Sequence, residues 1–144
     1  MRNFLKILIC VAAVSVGARS ASAQSYRVIV NASNSSRSLS TEELQRVYLK
    51  KLTSWKDGST VAVVDQGPKS PVRAAFSTDV LGRDVPSMKN YWQQSLFAGR
   101  GVPPIEQPSD AQVAAFVAAN PNAIGYVSAS ATLPEGVRVL EITR

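Results

Sequence analysis

Histidine is absent from the 144 residues, and cysteine occurs once, at Cys10. Without histidine there is no Ser-His-Asp or Cys-His catalysis, and most zinc and copper sites fall away, since those depend on imidazole or thiolate. Cys10 lies in an amino-terminal segment that reads as a secretory signal, so the rest of the chain carries no thiol and no disulfide framework. A strong excess of one charge is missing as well. The chain has 16 Lys and Arg against 10 Asp and Glu, and setting aside Arg2, Lys6 and Arg19 leaves 13 against 10. That mild surplus suits a small anionic ligand; nucleic acid calls for a denser basic stripe.

Long hydrophobic runs are also lacking. Ile7 to Val16 is shorter than the ~20 residues that a membrane span requires, and no second stretch follows. With Arg2 and Lys6 before it and Ala21-Ser22-Ala23 after it, this stretch predicts a signal peptide over residues 1–23, cleavage between Ala23 and Gln24, and a periplasmic product. Ile9 stands before Cys10 where a lipid-modification site wants a small residue. Residues 24–144 suit one domain with one core and no linker.

Within that domain, "YRVIVNA" (Tyr26 to Ala32) has the β-branched, nearly continuous apolar character of a buried strand. After the polar loop Ser33 to Ser38, Ser40 and Glu43 form a capping box and Leu39 and Leu44 a hydrophobic staple; Leu44, Val47, Tyr48 and Leu52 then repeat at helical spacing. Asp57-Gly58 is turn chemistry, and Thr60 to Val64 is a strand covered on both faces. Helical spacing returns in Val72, Phe76 and Val80, stopped by Gly82, and again in Met88, Trp92 and Leu96, closing at Gly99. "GRGVPPIEQP" is neither helix nor central strand. Ser109 and Gln112 cap a last helix, and Ala123 to Val127 and Val137 to Ile142 read as strands. The order β-α-β-α-α-α-β-β describes a compact α/β domain with a mostly parallel sheet flanked by helices.

Two strand-to-helix connections could carry chemistry, Asn31 to Leu39 and Asp65 to Ser70, because ligands of open α/β sheets sit outside the carboxyl ends of the strands. The first offers Ser33, Asn34 and Ser35. In the second, Ser70 is an N-cap and Pro71 takes the first helical position, leaving the amides of Val72 and Arg73 pointing outward with the positive end of the helix dipole. An anion fits there, and so does plain capping. Lys69 and Arg73 tilt the choice towards an anion, since a cation in a first turn opposes the dipole by roughly 0.3–1 kcal/mol unless something negative offsets it. Asp65 or Asp79 is the alternative offset, as a structural ion pair. Arg100, between two glycines, reaches a ligand or sits in water. Trp92 belongs to the core. No nucleophile–base pair can be assembled, so no catalytic residue is assigned, and neither is a metal or a cofactor.

The residues resemble a family, the phosphate-binding proteins of bacterial ABC transporters within the type II periplasmic binding-protein superfamily. "LSTEELQRVYLKKLTSWKDGSTVAVV" is similar to the family's helix, Trp-x-Asp-Gly turn and apolar strand; "SPVRAAF" stands at its Ser-Gly-Thr-Thr-x-x-Phe phosphate loop; "NPNAIGYV" looks like its Pro-Gly-Ala-Ile-Gly-Tyr-Val. The resemblance implies one lobe of such a protein, with Ser70 as the phosphate-donating serine. Pro71 replaces a glycine and removes its amide; Val72 and Arg73 replace hydroxyl residues; the arginine four residues before the serine is Gln66 here; Asn122 replaces a glycine.

These readings imply a non-enzymatic, exported substrate-binding protein of a phosphate-like uptake system, with a weak site for phosphate or a similar oxyanion at Ser70, Arg73 and Lys69, helped by Ser33, Asn34 and Ser35. A membrane transporter or receptor is the implied partner. Since family members close two lobes on their ligand, a second copy of the chain in a homodimer supplies the missing jaw, or the lobe is an interaction or sensory module with no small ligand.

Overall fold

A computed structural model of the protein describes residues 24–144; the expected signal peptide and its cleavage site lie outside the described residues. Along the chain come β1 (Tyr26–Asn31), β2 (Ser38–Ser40), α1 (Thr41–Tyr48), β3 (Ala62–Gln66) and α2 (Pro71–Phe76), which runs on through a π-helical turn at Ser77–Leu81. Then follow α3 (Val85–Phe97), β4 (Ile105–Gln107), α4 (Asp110–Ala119), β5 (Ala123–Ser128), β6 (Val137–Val139) and β7 (Glu141–Thr143). Every expected element is present. Two three-residue strands, β2 and β4, are added, and the expected strand over 137–142 divides into β6 and β7 around buried Leu140.

Local chemistry explains the helix starts. Ser40 Oγ accepts from the Glu43 amide at 3.1 Å while Glu43 Oε2 accepts from the Ser40 amide at 2.8 Å, so the capping box is closed on both sides. Ser70, Asp84 and Ser109 cap α2, α3 and α4, each side chain accepting from the amide three residues on, without the reciprocal bond back to the cap's own amide. Gly82, at φ 64°, closes the π-helical turn in the left-handed conformation.

The main sheet has the order β4-β3-β5-β1-β6. β3 runs parallel to β4 and to β5, whereas β1 is antiparallel to both of its neighbours, β5 and β6. Four of the five strands therefore share a direction, and β1 opposes them. β2 and β7 form a separate parallel pair. β4 occupies an edge, the place where a segment just after Pro103 and Pro104 can pair without a full set of ladder donors.

Alternate residues of the strands serve two cores. Val28, Val30, Val63, Ile124 and Tyr126 pack against α1, α2 and α3 through Leu44, Tyr48, Phe76 and Trp92. Ile29, Val64, Ala123 and Val127 face α4 through Val113 and Val117. Burial on both faces explains why these strands are apolar without alternation, and each fully buried side chain of this size stabilises by roughly 1.5–3 kcal/mol. At Gly125 the helix comes close: a Cβ there would lie 2.8 Å from both Val113 Cγ1 and Val64 Cγ1. Only glycine lets α4 rest on the sheet at that point.

Candidate functional site

The carboxyl ends of β3, β4 and β5 gather a buried polar cluster. β3 ends in Asp65 and Gln66, and the chain turns through Gly67, whose amide donates to the Gln107 carbonyl of β4 at 3.0 Å. Ser70 then caps α2, its Oγ accepting from the Arg73 amide at 3.3 Å. Pro71 occupies the first helical position, as expected. The cap is real, and the side chains behind it decide what else the turn can do.

Arg73 does not reach outward. Its Nη1 donates to the Gln66 carbonyl at 2.9 Å and to Glu106 Oε1 at 2.7 Å, and its Nη2 lies 3.4 Å from Asp65 Oδ2. The structural ion pair with Asp65 that the sequence allowed is therefore the one formed, with Glu106 as a second carboxylate. Asp79, the other candidate, lies instead beside the Tyr26 hydroxyl. Burial works against the Arg73 charge, but the two carboxylates more than compensate and raise its pKa.

Asp65 is buried, and its Oδ1 accepts from the Tyr126 hydroxyl and, at 2.8 Å, from the Gln66 amide. Burial pushes its carboxyl above the ordinary range, and Arg73, Tyr126 and the Gln66 amide offset that only in part. Burial, reinforced by the Asp65 charge, also raises the hydroxyls of Tyr48 and Tyr126, so both remain neutral donors. Tyr48 uses its proton on the Val64 carbonyl at 2.9 Å. The Tyr126 ring stacks on Phe76 with centroids 3.9 Å apart, which anchors this corner to the larger core.

A second knot crosses to the other face of the sheet. Gln66 Nε2 donates to Asp110 Oδ1 at 2.7 Å and to the Tyr126 carbonyl at 3.1 Å. Asp110, the first residue of α4, also receives the amide and hydroxyl of Ser128. Partial burial opposes its charge, but these hydrogen bonds outweigh that and hold its pKa below the usual carboxylate range. Gln66, in the place where the resemblance puts an arginine, is thus a neutral crosslink between β3, β5 and α4.

The other expected site loop is elsewhere. Ser33 donates through both its amide and hydroxyl to Asn31 Oδ1, at 2.9 and 2.7 Å, and Asn31 Nδ2 donates to the Val117 and Ala118 carbonyls at the end of α4. Asn34 Oδ1 accepts from the Ser36 amide at 2.8 Å, and Ser35 is exposed. Because β1 is antiparallel to β5, Val30 lies opposite Ile124, and Ile124 lies beside Val63 near the start of β3. The loop after β1 therefore emerges at the opposite end of the sheet from the turn after β3. Ser33, Asn34 and Ser35 are not brought together with Lys69, Ser70 and Arg73. The expectation that both loops face one ligand is corrected by strand direction, which composition does not encode.

Of the six expected residues, Ser70 and Lys69 border the turn, with Lys69 exposed, while Arg73 faces inward. The residues that sequence reasoning missed are Glu106, Tyr126, Asp110 and Ser128. Asp110 carried a local signal, an acid following an N-cap serine, and Tyr126 stands in the quoted "NPNAIGYV" stretch; Glu106 carried none. Among the described residues no cluster of three or more His, Cys, Asp or Glu side chains could hold a metal. No described helix is long and apolar enough to cross a membrane.

Comparison with known proteins agrees with this fold. The family model for a PBP superfamily domain matches residues 24–142. Among solved structures, a Clostridium perfringens protein assigned as a phosphate ABC transporter substrate-binding protein, with bound phosphate, superposes with a TM-score of 0.64 at 22% identity, over 82% of this chain and 44% of that one. An ABC-type phosphate transport receptor from Vibrio cholerae gives 0.64 at 20% identity, over 82% and 46%. PstS from Borrelia burgdorferi gives 0.63 at 12%, over 83% and 47%. At these identities the likeness is one of fold. The chain spans less than half the length of each of these structures. No curated protein matches it significantly.

Proposed function

This chain belongs to the PBP superfamily domain family, and on that premise we propose that it is an exported, non-enzymatic substrate-binding-type protein of a phosphate-like ABC uptake system that by itself holds oxyanions only weakly. The observation that carries the reading is the state of Arg73. One guanidinium meets the carboxylates of Asp65 and Glu106, and Asp110 lies behind Gln66, so this end of the sheet holds more negative than positive charge. A phosphate approaching Arg73 would be repelled by the groups that already satisfy it. What remains for an oxyanion is the Ser70 hydroxyl, Lys69 and the Val72 amide at the start of α2, since the Arg73 amide is taken by Ser70 Oγ. There, facing water, each charge-assisted hydrogen bond contributes far less than in a closed cleft.

Export rests on the residue pattern over 1–23, and a periplasmic location is in keeping with the phosphate-transport proteins that share the fold. A second reading, an interaction or sensory module without a small ligand that meets a transporter or receptor, is favoured by the exposed apolar residues Leu96, Phe97, Val102 and Ile105.

Calorimetric titration with phosphate, sulfate and small carboxylates tests the first reading. The expected result is a weak phosphate heat, with Kd on the order of 1 mM, that disappears in Ser70→Ala. Saturation at micromolar phosphate would overturn weak binding. Heat with no anion, together with retention of a periplasmic or membrane protein in a pull-down, would replace the first reading by the second.

A further inference from the structure

Three buried tyrosines serve the larger core, Tyr26, Tyr48 and Tyr126, and they spend their hydroxyls differently. Tyr48 donates to the Val64 carbonyl and Tyr126 to Asp65, both inside the fold. The Tyr26 hydroxyl instead faces Asp79, an exposed carboxylate on the π-helical turn, although Tyr26 itself is only 4% exposed. Burial and the Asp79 charge push its pKa up to about 12, so it stays a neutral donor. Donation to Asp79 leaves the phenolic oxygen with an unused acceptor.

Both charges that this hydroxyl senses, Asp79 and Arg144, line a cavity of about 990 Å³ between the start of β1, the start of α1, the π-helical turn and the end of β7. The inner wall is apolar, made of the Tyr26 ring, Leu44, Ala75, Val80 and Ile142; the charged groups are Glu42, Asp79 and Arg144. An apolar hollow with a few convergent polar groups is the usual form of a small-molecule site. Its place in the sheet fits as well. Tyr26 pairs with Ser128, so the cavity lies at the carboxyl end of β5, the end at which open α/β sheets take ligands.

The charges decide the class of ligand. Among the described residues the ion pairs are those of Arg73, so neither carboxylate of the cavity is neutralised by a neighbour. Glu42 is accounted for by α1, whose first turn favours an acid. Asp79 is not, because the π-helical turn continues α2 without a free helix start. Two carboxylates against one guanidinium leave the lining net negative, which favours a cation and disfavours an oxyanion. An ammonium has three donors and no acceptor, so it can bond Asp79 and the Tyr26 oxygen at once while an apolar body covers the inner wall.

We propose that this cavity binds a small amphipathic amine, its primary ammonium held by Asp79 and the Tyr26 oxygen and its apolar body lying on Leu44, Val80 and Ile142. This site does not rest on the oxyanion reading, since the cavity shares no residue with Lys69, Ser70 or Arg73.

NMR titration of the protein expressed from the full-length gene, with phenethylamine as the probe at neutral pH, tests it. The expected result is saturable binding with Kd on the order of 1 mM and shifts confined to residues around the cavity. Phenethyl alcohol, which keeps the ring and lacks the charge, is expected to bind about 10-fold more weakly, and phenethylamine to bind Asp79→Asn about 10-fold more weakly than the parent. Methylamine, the charge without the apolar body, is expected not to saturate in the same range. Asp79 is exposed, so an unchanged unfolding midpoint shows that its variant folds. Equal binding of the amine and the alcohol to the parent protein overturns the site, as does phenethylamine binding that Asp79→Asn leaves intact, or no saturation at all. Phosphate heats measured on the same samples report the oxyanion reading separately.

Discussion

Arg73, in the first turn of α2, turns its guanidinium back to Asp65 at the end of β3, with Nη2 3.4 Å from Oδ2 and each side chain keeping 10% of its exposure. A pair this buried is costly to break from one side, because the remaining charge loses both water and partner. Arg73→Ala is expected to cost about 3 kcal/mol in urea unfolding. Glu106→Gln is expected to cost less than about 1 kcal/mol, since the Glu106 side chain is 46% exposed. Equal losses in the two variants would mean that the outer carboxylate, not Asp65, holds the guanidinium.

The two site loops lie at opposite ends of the sheet, and their variants should separate accordingly. Ser70→Ala is expected to abolish any phosphate heat and to cost about 1 kcal/mol as a lost cap. Ser35→Ala is expected to leave that heat unchanged. Calorimetry that finds phosphate binding weakened by Ser35→Ala would place the anion after β1 instead.

Asp110 supplies a pH dependence. Its pKa is lower in the folded protein than in the unfolded chain, so its stabilising contribution is complete above the ordinary carboxylate range and fades as pH falls through the folded value. Asp110→Asn should therefore lower the urea midpoint at pH 7 and converge on the parent protein in acid. Midpoints that differ by a constant amount from pH 7 to pH 3 would show that the loss is packing rather than charge.

Gly125 supports close packing rather than chemistry. Gly125→Ala is expected to cost about 1–3 kcal/mol, because the added methyl meets Val113 and Val64 at 2.8 Å. Combining it with Val113→Ala should cost less than the two single losses together. Simple additivity in denaturant unfolding would argue that α4 shifts freely on the sheet.

Much of the local structure was legible because its causes are local. The capping box of Ser40 and Glu43, the Ser70-Pro71 start and the stop at Gly82 each involve residues within five positions of one another. The apolar strands were legible for the same reason: burial on both faces leaves a continuous run. The Arg73 site was only half legible. Asp65, eight residues away across one turn, could be weighed as a partner; Glu106 could not, because it arrives on an edge strand drawn from a proline-rich segment.

Residue types and their short-range spacing alone determined the helix starts, the two-faced strands, the absence of histidine chemistry and the resemblance to a binding-protein lobe. Tertiary structure decided which loops share an end of the sheet and whether Arg73 faces solvent. Both depend on the direction in which β1 pairs and on how β4 joins the edge. Strand pairing is made by backbone groups that every residue carries, so side-chain pattern marks a strand without specifying its neighbour or its direction.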